Sequence, residues 1–280
     1  MIISDTTSGA SIFYTLDGSK PGTSVGGSTL QYTTPISVAS TETINALATA
    51  TGFSPSAVAT AAYTIQSGTT PVVNFNTGFT ATGMQFNGHT KLNGTRLQLT
   101  DSSAGNEVAS AFWTTPVNVQ AFSNNFMFQL TNPNADGFTF TIQDIGSTAI
   151  GLSGEYLGYG GTPRIATSVA VKFDLHSNAG EGTNSTGLYT DGATPTVPAT
   201  TLGGGVNLHS GDILQVQMTY DGTTLTMVIT DTTTPSETFT TSWPINIPGT
   251  VGANTAYAGF TGGTGGATAT QEILTWTYTP

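Results

Sequence analysis

Short runs of alternating apolar and polar residues recur along this chain, separated by Gly, Asn, Asp and Thr. A period of two puts alternate side chains on opposite faces of a strand. No long stretch repeats apolar residues at helical spacing, so the pattern predicts an all-β protein. Ser11-Ile-Phe-Tyr-Thr-Leu16, Ile36-Ser-Val38, Thr43-Ile-Asn-Ala-Leu47 and Ala57-Val-Ala-Thr-Ala-Ala-Tyr-Thr-Ile65 read as strands of a first unit. Asp17-Gly18 is a tight-turn dipeptide, and Gly52-Phe-Ser-Pro-Ser56 reads as a loop. A short polar linker follows. From Val72 onward the spacing of runs and turns predicts a two-sheet sandwich. The expected division is therefore 1–66, a linker at 67–71, and 72–280.

Two of the runs carry oxygen-bearing side chains at particular places. In Asn134-Ala-Asp-Gly-Phe-Thr-Phe-Thr-Ile142, Asp136 stands where a turn gives way to a strand. In Val169-Ala-Val-Lys-Phe-Asp-Leu-His-Ser-Asn178, Asp174, His176 and Asn178 are spaced by two, and an extended backbone would put them on one face. Carboxylate, backbone carbonyl and amide oxygens in a cluster suit a hard cation such as calcium.

These residues resemble the legume-type (L-type) lectin family, in an order kept along roughly residues 72 to 280. Ala111-Phe-Trp-Thr-Thr-Pro-Val117, Phe126-Met-Phe-Gln-Leu130, Tyr220-Asp-Gly-Thr-Thr-Leu225, Ala256-Tyr-Ala-Gly-Phe-Thr-Gly-Gly-Thr-Gly-Gly266 and Gln271-Glu-Ile-Leu-Thr-Trp-Thr-Tyr278 add to the resemblance. It implies a concanavalin-like jelly-roll sandwich, with sites on loops at one end of a curved sheet. It implies that Asp136, preceded by a cis peptide bond, accepts hydrogen bonds from sugar hydroxyls. Asn178 and backbone at Gly154, Gly265 and Gly266 would contact sugar, and the His176 side chain would pack on the ring. Calcium is the implied cofactor, held by Asp174, the His176 carbonyl and Asn178. The family's second calcium aspartate has no match, and Glu181 or Asn184 is the stand-in; with neither, calcium affinity would be weak or absent. A transition metal is not expected. The family's glutamate ligand is replaced by Lys172, and its histidine by Leu188 or Tyr189. The Lys172 ammonium is expected to pair with Asp174 in that space instead.

The first unit resembles the immunoglobulin-like modules beside chitobiase-type glycosidase domains, through Tyr14-Thr-Leu-Asp-Gly-Ser-Lys-Pro21, Tyr32-Thr-Thr-Pro-Ile36 and Ile44-Asn-Ala-Leu-Ala48. Such modules are spacers. In them another strand precedes the segment matching Ile3-Ser-Asp-Thr-Thr7. Either the sequence is a piece of a longer protein, or a neighbouring chain supplies the strand and the module self-assembles by edge pairing.

Composition narrows the function. Only 8% of residues are charged, so Thr, Ser, Asn and Gly must build the polar surface. Five basic residues against a net charge of −11 form no phosphate-tracking patch, which argues against nucleic acid and anionic membranes as partners. There is no cysteine, hence no disulfide or thiolate site. No apolar run is long enough to span a bilayer, and if the protein is secreted its export signal is expected upstream of this sequence. A glycosidase on the same sandwich would need two carboxylates about 5–10 Å apart; no Glu-x-Asp-x-Glu cluster exists. His89, His176 and His209 lie in no hydrolase motif. Tyr156, Tyr159 and Tyr189 are stacking platforms or inward-packed sheet residues; Trp113, Trp243 and Trp276 read as packing residues. The expectation is a non-catalytic, extracellular or cell-surface protein that binds a polysaccharide or glycoconjugate. The alternative is a structural or adhesive module that keeps the fold without the sugar.

Overall fold

The computed structural model describes residues 1, 3–34, 36, 42–63 and 72–280. The chain forms two compact units, Met1–Thr69 and Thr70–Pro280. The expected linker 67–71 lies outside the described residues. No helix among the described residues is long and apolar enough to cross a membrane.

Among its described residues the first unit holds four antiparallel strands: β1 (Ser11–Thr15), β2 (Leu30–Gln31), β3 (Glu42–Thr49) and β4 (Ala59–Tyr63), in the order β2-β1-β3-β4. Phe13 and Leu47, paired across β1 and β3, are buried on one face of this sheet, and Ile44 and Ala46 are buried on the other. Of the expected strand Ile36–Val38, residues 37 and 38 lie outside the described residues. Ile36 is buried and exchanges backbone hydrogen bonds with Met1, at 2.9 Å and 2.5 Å.

The second unit is a sandwich of two eight-stranded antiparallel sheets. Its strands are β5 (Val73–Phe75), β6 (Met84–Gly88), β7 (Lys91–Asn93), β8 (Arg96–Thr100), β9 (Val108–Trp113), β10 (Val117–Asn118), β11 (Phe122–Thr131), β12 (Gly137–Gln143), β13 (Ser168–Asp174), β14 (Ser185–Thr190), β15 (Thr200–Thr201), β16 (Ile213–Tyr220), β17 (Thr224–Asp231), β18 (Thr238–Pro244), β19 (Thr255–Gly263) and β20 (Thr270–Thr279). One sheet runs β15-β14-β13-β12-β19-β9-β6, with β10 beside β19; the other runs β18-β17-β16-β11-β20-β8-β7, with β5 beside β20. The neighbours far apart in sequence, such as β12 with β19 and β11 with β20, give the crossed connections of a jelly roll.

Phenylalanines knit the two sheets. Phe126 and Phe128 point inward from β11 onto Phe138, Phe173 and Phe260, with ring centroids 4.8–6.5 Å apart. Phe138 and Phe173, neighbours across β12 and β13, stack at 4.7 Å. Trp276 is buried as expected, its indole N–H donating to Asn124 Oδ1 at 2.8 Å. Trp113 and Trp243 pack partly buried against the same core.

The first sheet is covered on its other face too. Every residue of β12 and β13 is buried. The segment 144–167 folds over that face, and Phe112, Ala149, Tyr159, Ile165, Ala170 and Tyr189 form a second apolar cluster beneath it. Tyr159 and Tyr189 are thus interior residues, and of the three candidate platforms only Tyr156 is partly exposed. Truncating Phe138 to Ala removes the ring shared by both sheets. We expect a loss of about 3–5 kcal/mol, read from the denaturant midpoint, with the fold retained.

Candidate functional site

Strand register brings the sequence motifs to one end of the first sheet. Gly137 opens β12 and pairs with Asp174 at the end of β13 on one side, and with Gly263 at the end of β19 on the other. Asp136, one residue before β12, therefore sits between the loop 175–184 and the loop 264–269. The bond between Ala135 and Asp136 is cis, as the resemblance implies. The Asp136 backbone is held on both flanks: its N–H donates to Gly263 O at 3.3 Å, and its carbonyl accepts the Leu175 N–H at 2.8 Å.

The Asp136 side chain is only 4% exposed, and its Oδ2 is buried with no hydrogen-bond partner. Two glycines make room beside that oxygen. A Cβ on Gly265 would lie 3.1 Å from Oδ2, and one on Gly154 would lie 4.0 Å away. Gly154 also has φ +64°, a conformation that favours glycine. Its N–H is committed to the Thr264 carbonyl at 3.1 Å, so Gly154 contributes space, and the donor role that the resemblance implies is already filled. Gly266 is exposed, with open space around it. Burial raises the Asp136 carboxyl above its ordinary range; the His176 charge and the Gly265 N–H pull it down, and Glu155 pushes it further up. His176, exposed, is thus close enough to act electrostatically on Asp136.

The loop carrying Gly265 is braced from a part of the chain that sequence reasoning did not single out. Glu107 N–H donates to Thr264 Oγ1 and Thr264 N–H to Glu107 O, both at 3.0 Å, while Asn106 N–H donates to Gly265 O at 2.8 Å. Gln271 Nε2 donates to Gly263 O at 3.0 Å. These partners lie 157 residues from Thr264 in one case and 8 from Gly263 in the other, and no local pattern announces them.

The second motif folds differently from its expected extended form. β13 ends at Asp174, whose Oδ1 accepts the His176 N–H at 3.1 Å and turns the chain. His176 and Asn178 follow in an exposed loop instead of sharing a strand face. Glu181 closes that loop, accepting the N–H groups of Asn178 at 3.0 Å and Ala179 at 2.6 Å. Burial would raise the Glu181 carboxyl, but those backbone donors and its own N–H bring it below the ordinary range. Asn184 faces another way: its amide donates to Val206 O at 2.8 Å and its Oδ1 accepts Leu208 N–H at 2.9 Å.

Lys172 is completely buried, and its ammonium donates to Asp174 Oδ2 and to Thr196 O, each at 2.7 Å. The Tyr189 ring lies 5.6 Å away. Burial pushes the Asp174 carboxyl up to about 6, with Lys172 pulling against it. A divalent cation does not fit this arrangement as folded. Both Asp174 oxygens, both Glu181 oxygens and both ends of the Asn184 amide have partners within the chain. Among the described residues no group of three or more His, Cys, Asp or Glu is placed to hold a metal.

Removing one partner of a buried ion pair strands the other without compensation, whereas replacing both by apolar groups does not. Lys172→Met should therefore destabilise the protein by about 3–5 kcal/mol in urea unfolding at neutral pH. Combining it with Asp174→Leu should recover most of that loss.

Comparison with known proteins shows the same fold. The family model for the legume lectin domain matches residues 72–280, and that for the chitobiase/β-hexosaminidase C-terminal domain matches residues 1–60. Favin from Vicia faba is 28% identical over 188 residues, covering 62% of this chain and 79% of favin. Peanut lectin, solved with a nine-residue peptide, superposes with a TM-score of 0.64 at 24% identity, covering 74% of this chain and 95% of that one. A lectin from Bauhinia forficata in complex with GalNAc does so with a TM-score of 0.64 at 22% identity, covering 74% and 96%. The first sixty residues thus carry a chitobiase-type module, and over residues 72–280 the chain belongs to the legume lectin domain family.

Proposed function

We propose that this chain binds a polysaccharide or glycoconjugate at Asp136, outside the cell or at its surface, and does not transform it. The observation that carries the reading is the buried Asp136 Oδ2 without a partner. An unpaired buried acceptor costs free energy, more so when charged, and persists where a ligand supplies the missing donor. A sugar hydroxyl is such a donor, and an ionised carboxylate accepts it with roughly twice the strength of a neutral acceptor. Gly154 and Gly265 pack beside that oxygen without a side chain, Gly266 next to them is exposed, and the exposed His176 lies within electrostatic reach of the carboxylate. Nucleic acid has no place in this reading, because the site presents a carboxylate to its ligand and the chain carries a net charge of −11.

The alternative is a structural or adhesive module that retains the fold without the sugar. The internally satisfied cluster at 172–184 favours it. Asp136→Asn separates the two readings. Loss of one charge-assisted hydrogen bond, about 1.5–3 kcal/mol, should weaken glycan binding on an array or by calorimetry by roughly ten- to a hundredfold. Stability at neutral pH should hold or rise, since the buried charge is gone. Undiminished binding would place the site elsewhere, and no glycan signal from the unaltered protein would favour the structural module.

The raised Asp136 pKa gives a further expectation. Between the ordinary value of 3.8 and the raised one, the folded state holds a proton that the unfolded state has lost. Stability from this group therefore falls as pH rises through that window. Binding, which needs the ionised acceptor, falls as pH drops through it, and the Asn variant should lose that pH dependence. Gly265→Ala crowds Oδ2 without touching the core, and should lower affinity while leaving the melting temperature unchanged.

A further inference from the structure

One of the five basic residues of this chain is buried completely, at the foot of the loop 175–184 that flanks Asp136. Lys172 lies on β13, and its ammonium joins two loops that are separate in sequence. Through Asp174 Oδ2 it grips the start of the loop 175–184, and through Thr196 O it grips the segment 191–199 between β14 and β15. Thr196 O also accepts the Tyr189 hydroxyl at 2.8 Å, which fixes that carbonyl from the other side. The loop 175–184 is tied in turn to the sugar acceptor, because Leu175 N–H donates to Asp136 O.

We propose that the Lys172 ammonium is a tethered cation that replaces a bound divalent ion as the positive centre of these loops. The chain would then order its site without metal. Three features converge on this. A calcium ion takes six to eight oxygen ligands, and a transition metal needs several unprotonated donors. Here the Asp174 and Glu181 carboxylates are occupied by the ammonium and by backbone N–H groups, and Asn184 is turned onto the segment 202–208. A second cation beside Asp174 would meet the ammonium at close range in a dry setting, where like charges repel strongly. The positive charge is also covalently attached, so it cannot be lost to a chelator or diluted away.

The test uses the whole protein and contains no sugar, so it stands or falls separately from the reading of Asp136. Protein stripped with EDTA is titrated with calcium chloride and with manganese chloride by calorimetry. Its melting temperature and the hydrogen exchange of residues 175–184 are followed with and without each ion. The expected result is no saturable heat, an unmoved melting temperature and unchanged exchange. Stoichiometric uptake of either ion, with a rise in melting temperature, would overturn the proposal. A Lys172→Glu variant supplies the complementary measurement, since it removes the tethered cation and places a carboxylate in its position. In EDTA its 175–184 amides should exchange faster than those of the unaltered protein, and calcium or manganese should slow them again. Exchange as slow as in the unaltered protein, in EDTA, would show that the cation does not order the loop. Should that variant fail to fold, the titration of the unaltered protein decides the matter alone.

Discussion

The arrangement of the site depends on the pairing of β12. That strand has hydrogen-bonded neighbours on both sides along its full length and is buried on both faces. A slip of one residue would exchange its phenylalanines, Phe138 and Phe140, with Thr139 and Thr141. The phenylalanines close the sandwich. The threonines form a hydroxyl chain on the other face, where Thr139 bonds to both Thr141 and Thr261, and Thr261 donates to Leu157 O beneath the covering segment. Neither set tolerates the other's surroundings. The same fixed register decides that Asp136, Asp174 and Gly263 emerge together, so the packing of the core sets the geometry of the loops.

The end of the sheet then resolves into two polar clusters of opposite character. Around Lys172 each carboxylate is matched, and the matching holds loops in place. Around Asp136 one oxygen is left over, in a setting otherwise made of glycine and backbone. The first cluster is internally satisfied, and the second is one hydrogen-bond donor short. Leu175 links them through a backbone hydrogen bond to Asp136, beside the pairing of Gly137 with Asp174.

The alternating runs and the order of the motifs made the sandwich readable, and the pair Lys172 and Asp174 was legible through its departure from the family pattern. The glycines near Asp136 were legible through the family pattern. Other features depended on long-range cover. Every residue of β13 is buried, because the segment 144–167 lies over the face that alternation would leave to water, and the same segment draws Tyr159 inside. The extension of the strand to Asn178 failed on a local competition: the Asp174 side chain captures the His176 N–H that a strand would have offered to its neighbour. The brace from Glu107 to Thr264 joins residues from opposite ends of the unit, and nothing short of the folded sheet brings them together.

The scarcity of basic residues has an effect beyond the interior. Among the described residues three of the five, Lys91, Arg96 and Lys172, are paired with carboxylates, at 2.8 Å, 2.8 Å and 2.7 Å. The field at the surface is therefore left almost wholly to unpaired acidic groups. A molecule approaching the chain from a distance meets a negative potential that reaches about one Debye length, roughly 8 Å in physiological salt. Polyanions are repelled before any contact forms, and neutral molecules are not. Such selection by charge acts on approach and fades as salt is added.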